Sequence, residues 1–291
     1  MKTPIFTGCA TALITPFHPD GSIDFSALRQ LVSRQIESGI DALVACGTTG
    51  EPSTMSDREW SDVLAAVVDE TNGRVPVIAG TGGNATAEVI RSGKEAKALG
   101  ADAQLCVTPY YNKTTQAGLV AHYEAIASSC DLPLIIYNVP SRTGLNIRPE
   151  TLLKLCENPY ILGIKEASGD AAQAADIRML CGDFLPIYSG SDELSVQLRA
   201  VGSLGTVSVL SNLVPEAMVH ITHDPLPAAA QCQIAMMRLI RLLFSEVNPI
   251  PIKAAMHAIG LCENVLRLPL VPMSAENEKL LLAEMRRLKI L

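Results

Sequence analysis

The chain has 291 residues, 48% of them hydrophobic and 18% charged, so it can bury the core of one large barrel or of two medium domains. Its 23 basic and 30 acidic residues give a formal net charge of −7. An acidic chain without a basic patch is not expected to bind nucleic acid, and no stretch reaches the roughly 18 apolar residues of a membrane span.

Eight short apolar runs follow one another along the chain. They are continuous rather than alternating and are bounded by Gly, Pro or Asp, which is typical of parallel strands covered on both faces. The predicted strands are 9–14, 41–46, 75–80, 103–108, 132–138, 161–165, 185–189 and 204–209. The first of them falls in "MKTPIFTGCATALITPF", which therefore resembles a strand more than a signal peptide.

Helical periodicity lies between the strands, for example at 24–39, 56–70 and 84–100, and Ser56 with Glu59 predicts a capping box. Eight β/α units predict a (β/α)8 TIM barrel over residues 1–226. A doubly wound open sheet is the alternative, weakened because no G-x-G-x-x-G follows a strand. Residues 227–291 have no strand pattern and predict a C-terminal α-helical domain, with helices near 228–246, 249–260 and 274–288.

The eight cysteines and five histidines are scattered, without a C-x-x-C pair or the spacing of metal ligands. This pattern predicts neither a structural metal site nor a disulfide framework, and it favours the reducing cytoplasm.

Polar residues gather where the predicted strands end, which is where TIM barrels carry their chemistry. These strand ends are "GTTGE" (47–51), "GTGGN" (80–84), "TPYYN" (108–112), "YNVPSRTG" (137–144), Lys165 with Glu166, and "SGSDE" (189–193). Each has an ordinary structural explanation: a capped turn, a barrel aromatic such as Tyr137, or an ion pair of Arg142. Two hydroxyls beside glycines, a phenol and a guanidinium can equally bind a carboxylate and transfer protons.

Lys165 is the most unusual of these residues, because it directly follows the apolar run 161–164. A buried ammonium is costly and tends to lose its proton, and a neutral lysine is a nucleophile. The alternative is a side chain that reaches solvent at the strand end. The convergence of hydroxyls, tyrosines and an arginine on the same barrel face favours a functional lysine.

Motifs along nearly the whole chain resemble the dihydrodipicolinate synthase family. They are "TALITPF", "GTTGEPST", "VPVIAGTGGNAT", "VTPYYNKTTQ", "YNVPSRTG", "GIKEASGD" and "NPIPIK". The resemblance implies a TIM barrel with a C-terminal helical domain and a homotetramer, a dimer of dimers. It also implies the condensation of pyruvate with L-aspartate 4-semialdehyde on the route to diaminopimelate and lysine, without metal or cofactor.

The same resemblance implies roles for individual residues. Lys165 matches the lysine that forms a Schiff base with pyruvate, and Tyr137 matches the tyrosine that moves protons. Thr48 and Tyr111 complete the proton relay, and the second tyrosine reaches the neighbouring active site across a dimer interface.

Further matches concern substrate binding. Thr49 corresponds to a contact of the pyruvate carboxylate, and Arg142 to the arginine that receives the carboxylate of the semialdehyde. Val207 stands where the family usually has isoleucine, whose backbone faces pyruvate, and Gly190 in "SGSDE" is a further expected substrate contact.

An allosteric lysine pocket is present in some family members. Asn84, Glu88 and Tyr110 match that pocket, whereas Asp57 and Trp60 stand where enterobacterial-type members have histidines, and Pro52 replaces a small polar residue. We therefore expect weak or absent inhibition by lysine.

Two alternatives remain at the level of sequence. The first is another pyruvate aldolase, such as an N-acetylneuraminate lyase or a 2-keto-3-deoxy sugar-acid aldolase, although Arg142 suits a small carboxylated aldehyde better than a polyol. The second is a barrel that binds pyruvate without catalysis.

Overall fold

The computed structural model describes residues 2–291 and contains a closed barrel of eight parallel strands in sequential order. The strands are β1 (Gly8–Ala12), β2 (Ala42–Ala45), β3 (Val77–Gly80), β4 (Ala103–Val107), β5 (Leu134–Asn138), β6 (Ile161–Glu166), β7 (Ile187–Ser189) and β8 (Gly205–Ser208). β8 pairs with β1 and closes the barrel. The predicted (β/α)8 fold is therefore confirmed.

Most strands are one or two residues shorter at an end than the apolar runs predicted. Three runs include a proline at their start, Pro76, Pro133 and Pro186, and proline has no N–H to donate to a strand ladder. The carbonyl groups of these prolines still accept hydrogen bonds from Leu43, Gln104 and Ile164. Each of these prolines thus lies just before a strand and makes one backbone hydrogen bond, through its carbonyl group, instead of two.

Helices cover the outside of the barrel and form its C-terminal extension. They are α1 (Phe25–Glu37), α2 (Asp57–Thr71), α3 (Thr86–Ala98), α4 (Gln116–Cys130), α5 (Pro140–Thr143), α6 (Pro149–Leu155), α7 (Ala171–Cys181), α8 (Ser195–Ala200), α9 (Pro215–His223), α10 (Leu226–Leu242), α11 (Ile250–Ala258) and α12 (Ala275–Arg287). The predicted capping box of α2 is confirmed, since the Ser56 hydroxyl accepts from the Glu59 N–H and the Glu59 carboxylate accepts from the Ser56 N–H.

Two apolar layers account for the continuous hydrophobic runs. The inner layer fills the barrel and contains Ala10, Val44, Ile78, Tyr188 and Val207 among others. The outer layer lies between the sheet and the helices. Strands β1 to β5 and β7 contribute side chains to both layers, whereas β6 contributes apolar side chains only to the outer layer and β8 only to the inner one. The strands are therefore buried on both faces, as in other parallel sheets.

The C-terminal helices lie against the barrel rather than apart from it. α10 packs on α8 and α9, and α12 packs on α10 and α11. The predicted boundary at 226/227 falls at the start of α10, and the division into two domains stays a prediction. None of the helices in residues 2–291 is long and apolar enough to cross a membrane.

Candidate active site

Lys165 and Tyr137 lie side by side near the carboxyl ends of adjacent strands. Tyr137 of β5 is paired in register with Lys165 of β6, which gives both side chains the same direction into the barrel. The Lys165 Nζ lies 4.2 Å from the centroid of the Tyr137 ring. The amine and the phenol ring are therefore in direct contact inside the barrel.

The Lys165 side chain is buried, with only 7% of the residue exposed. Burial lowers the pKa of Lys165 to about 8, with a smaller contribution in the same direction from Arg142 and an opposing one from Asp192. A low-dielectric environment disfavours the ammonium, so a substantial fraction of neutral amine is available near neutral pH. The structure thus supports the functional interpretation of Lys165 over a solvent-directed side chain.

Gly190 provides the space that the lysine occupies. A Cβ atom at this position would lie 2.6 Å from the Ala167 Cβ and 3.0 Å from the Lys165 Cε. The Gly190 N–H also donates to the Glu166 carbonyl at 2.7 Å, which fixes the start of the loop after β7 against β6. Any larger residue would have to displace the Lys165 side chain.

The Tyr137 phenol is connected to the turn after β2. Burial raises the pKa of Tyr137, while the charge of Arg142 and a hydrogen bond with Thr48 act in the opposite direction. Thr48 begins the single helical turn Thr48–Gly50, directly after β2, and its side chain is exposed. The hydrogen bond between Tyr137 and Thr48 therefore connects the barrel interior with the surface.

Thr49 and Arg142 are linked through Asn248, a residue that sequence reasoning did not single out. The Asn248 amide donates to the Thr49 hydroxyl at 2.9 Å, and an Arg142 N–H donates to the Asn248 carbonyl at 3.2 Å. Because its hydroxyl oxygen already accepts this bond, the Thr49 O–H is free to donate to a carboxylate. The only sequence signal for Asn248 was its place in "NPIPIK".

Asp192 belongs to the predicted strand-end segment "SGSDE", although nothing in the sequence singles it out within that segment. It is buried in the loop after β7, and its carboxylate accepts from the N–H groups of Val209 and Leu210. Burial raises the pKa of Asp192, and hydrogen bonds from Ser208, Leu210 and Val209 oppose this effect. Its charge in turn favours the protonated form of Lys165.

A cavity of about 850 Å³ opens above the lysine. It is lined by predicted site residues and by the C-terminal helices, including Thr48, Thr49, Tyr137, Arg142, Lys165, Gly190, Val209, Ile240, Arg241, Phe244 and Asn248. Val207 lies lower, within β8, with 2% of its surface exposed in the inner apolar layer. The cavity therefore combines the predicted polar residues with an apolar wall.

Tyr111 is brought close to Thr48 but is not buried by its own chain. It is 91% exposed and adopts a left-handed backbone conformation, with φ +67°. Together with Thr48 and Tyr137 it lines a second cavity of about 570 Å³. Tyr111 thus projects away from its own chain, and its part in a proton relay stays a prediction.

The predicted allosteric residues are only partly brought together. Tyr110 lines the second cavity with Pro52, Asp57 and Trp60. Glu88 instead pairs with Arg91 on the exposed side of α3 at 2.9 Å. The Asn84 carbonyl accepts from the Asn112 amide.

Within residues 2–291, no group of three or more His, Cys, Asp or Glu residues is arranged to hold a metal ion. The polar groups that do converge are a buried amine, a phenol, two hydroxyls and a guanidinium. An amine of lowered pKa beside a proton donor can attack a ketone and form an imine. The fold and site therefore fit the class of Schiff-base-forming (β/α)8 enzymes.

Comparison with known proteins defines the family. The model of the dihydrodipicolinate synthetase family matches residues 5–287. The 4-hydroxy-tetrahydrodipicolinate synthase of Caldicellulosiruptor saccharolyticus is 48% identical over 286 residues, which cover 96% of this chain and 95% of that protein. The chain belongs to the dihydrodipicolinate synthetase family.

Solved structures agree with this assignment. The chloride-inhibited dihydrodipicolinate synthase of Acinetobacter baumannii, in complex with pyruvate, matches with a TM-score of 0.96 and 41% identity and covers 98% of this chain and 99% of its own. A monomeric dihydrodipicolinate synthase variant matches with a TM-score of 0.96 and 38% identity, over 99% of this chain and 98% of its own. The resemblance read from the motifs is confirmed.

Proposed function

We propose that the chain condenses pyruvate with L-aspartate 4-semialdehyde through a covalent imine at Lys165. The overall activity, that of a 4-hydroxy-tetrahydrodipicolinate synthase in lysine and diaminopimelate biosynthesis, follows from the family and its curated relatives. The observation that supports the chemical route is the buried Lys165 amine in contact with the Tyr137 ring.

The reaction begins when the neutral Lys165 amine attacks the keto carbon of pyruvate and water leaves. The resulting imine withdraws electrons, so a proton is lost from the methyl carbon and an enamine forms. This carbon attacks the aldehyde carbon of the semialdehyde. The amino group of the semialdehyde then attacks the imine carbon, which releases Lys165 and closes the ring of the product. These steps use only the side chains of the site, and we propose that no cofactor takes part.

Tyr137 donates and accepts the protons of these steps. Its phenol has a pKa above the ordinary value, so it is a proton donor rather than a phenolate at neutral pH. Thr48 carries the proton onward from Tyr137, and Tyr111 completes the relay. Tyr111 does so in the site of a neighbouring subunit, which its 91% exposure in its own chain supports.

The carboxylates of the two substrates are held by two residues that Asn248 links, Thr49 in the turn after β2 and Arg142 on α5. The Thr49 O–H donates to the pyruvate carboxylate, and Arg142, exposed at the cavity mouth, pairs with the carboxylate of the semialdehyde. Gly190 and the backbone at Val207 lie along the pyruvate. We further propose that the protein acts in the cytoplasm as a homotetramer. The tetramer is a dimer of dimers, and in each dimer Tyr111 of one subunit reaches the active site of the other.

A coupled assay tests the reaction. Pyruvate and L-aspartate 4-semialdehyde are mixed with the chain and with the reductase that consumes the product, and oxidation of the nicotinamide cofactor is followed. We expect turnover that requires both substrates. Cleavage of N-acetylneuraminate or of a 2-keto-3-deoxy sugar acid without condensation would identify another aldolase, and pyruvate binding without any turnover would identify a binding protein.

A further inference from the structure

A buried ion pair joins the turn after β2 to the C-terminal helices. The Lys253 Nζ of α11 lies 2.5 Å from the Glu51 Oε1, and both side chains are almost completely buried. Neither residue lines the cavity above Lys165. An ion pair at this depth is unusual, because each charge has lost its water and depends on the partner.

The surroundings of Lys253 are built for a cation. Its ammonium also donates to the Val265 carbonyl at 2.9 Å and lies 4.1 Å from the centroid of the Phe17 ring. The Arg267 guanidinium lies 4.5 Å from the centroid of the same ring, and the backbone N–H of Arg267 donates to the Glu51 carboxylate at 3.3 Å. Glu51 is thus held by two segments that follow the barrel in sequence.

The backbone of Glu51 itself adopts an unfavourable conformation. Its φ is +58°, in the left-handed region that residues with a side chain rarely adopt. Cys46, at the other end of the turn, has φ +54°. Such strained residues persist where the surrounding structure fixes them, and the Lys253 pair supplies that constraint next to Thr48 and Thr49.

We propose that Lys253 and Glu51 are positioning residues that hold Thr48 and Thr49 in place for pyruvate. Asn248, five residues before Lys253 in the same "NPIPIK" segment, bonds the Thr49 hydroxyl directly. The pair therefore fixes the end of the turn at Glu51, while Asn248 fixes the Thr49 hydroxyl. This inference rests on the proposed function, because it assigns Thr48 and Thr49 to pyruvate handling.

The test compares Lys253→Met, Glu51→Gln and the double variant. Each single change leaves one charge buried without its countercharge and lowers the melting temperature, whereas the double variant leaves no such charge and recovers much of the lost melting temperature. The ionic part of the constraint on the turn is lost in all three. We expect the KM for pyruvate to rise tenfold or more in all three, with a smaller loss of kcat, at a temperature where each is folded.

Glu284→Gln is the matched control. Glu284 is equally buried and pairs with Arg287 on α12. This variant also lowers the melting temperature, but its KM for pyruvate stays that of the wild type.

Two results would overturn the proposal: a wild-type KM in the double variant, or a KM that follows the melting temperature across the series, the Glu284 variant included. If the single variants do not fold, the double variant decides. Absence of turnover in the wild type would instead contradict the proposed function itself.

Discussion

The pKa of Lys165 decides how much of the proposed nucleophile is present. With a pKa of about 8 instead of the ordinary 10.5, roughly one lysine in ten is neutral at pH 7, compared with about one in three thousand for an exposed lysine. The same burial that prepares the amine for attack costs folding free energy, because the folded state holds an ammonium poorly.

This cost predicts the effect of Lys165→Met on stability. Below pH 8 both the folded and unfolded states hold the proton, and the folded state bears the full cost; between pH 8 and 10.5 the folded state loses the proton first, so the cost declines. Lys165→Met should therefore raise the free energy of unfolding at pH 7 by on the order of 1–3 kcal/mol, with a smaller gain at pH 9.5.

Urea unfolding at the two pH values measures this gain. Lys253→Met is the control of opposite sign, since it removes a paired ammonium and should destabilise the protein. A Lys165→Met variant that is less stable at pH 7 would show that the ammonium is better accommodated than its burial implies.

Gly190 is the second residue whose environment leads to a prediction. In Gly190→Ala the new methyl group meets Ala167 and the Lys165 side chain, so the amine is displaced from its position over Tyr137. A misplaced nucleophile should lower kcat/KM by about 100-fold. Gly83→Ala is the control, because its Cβ would meet nothing closer than 3.5 Å. Equal activities of the two variants in the coupled assay would contradict the close packing.

At the scale of elements, strands and strand-end residues were predictable because their signal is local. A continuous apolar run identifies a buried parallel strand, and Lys165 and Tyr137 follow from the rule that barrel chemistry lies at strand ends. The bond from Asn248 to Thr49 joins residues 199 positions apart and has no periodic signature. The burial of Asp192 and the pairing of Glu51 with Lys253 likewise depend on tertiary packing that no single segment encodes.

The second cavity, which lies beside α2 and α3, contains the residues that decide whether lysine can bind there as a feedback inhibitor. Arg91 pairs with Asp57 at 3.1 Å, Glu88 at 2.9 Å and Glu95 at 3.4 Å, so the carboxylates that could attract a lysine ammonium already have a cation. The Trp60 indole donates to the Gly80 carbonyl at 3.1 Å, so its N–H is not available to a ligand, and its ring forms part of the wall. We expect weak or absent inhibition when the initial rate is measured against L-lysine at fixed substrates. Strong inhibition at sub-millimolar lysine would show that Asn84, Glu88 and Tyr110 suffice.

At the scale of the whole molecule, the exposure of Tyr111 predicts that activity depends on assembly. Tyr111→Phe and Lys165→Ala should each be inactive as pure proteins, because one lacks the relay and the other the nucleophile. Mixed dimers should regain part of the activity, since one of their two sites combines an intact lysine with a tyrosine from the partner.

Native mass spectrometry confirms that mixed assemblies have formed before the rate is measured. Absence of activity in confirmed mixed dimers would mean that each site uses its own Tyr111. Full activity of a monomeric form would also contradict the shared relay, because a monomer has no partner to supply Tyr111.

The most direct measurement of the central claim is to trap the imine. The protein is incubated with pyruvate, reduced with borohydride, digested and analysed by mass spectrometry. We predict that a three-carbon adduct forms on the peptide that carries Lys165, with parallel loss of activity, and that Lys165→Arg gives neither adduct nor turnover because a guanidinium stays protonated. An adduct on another lysine, or full activity after reduction with pyruvate, would contradict the assignment.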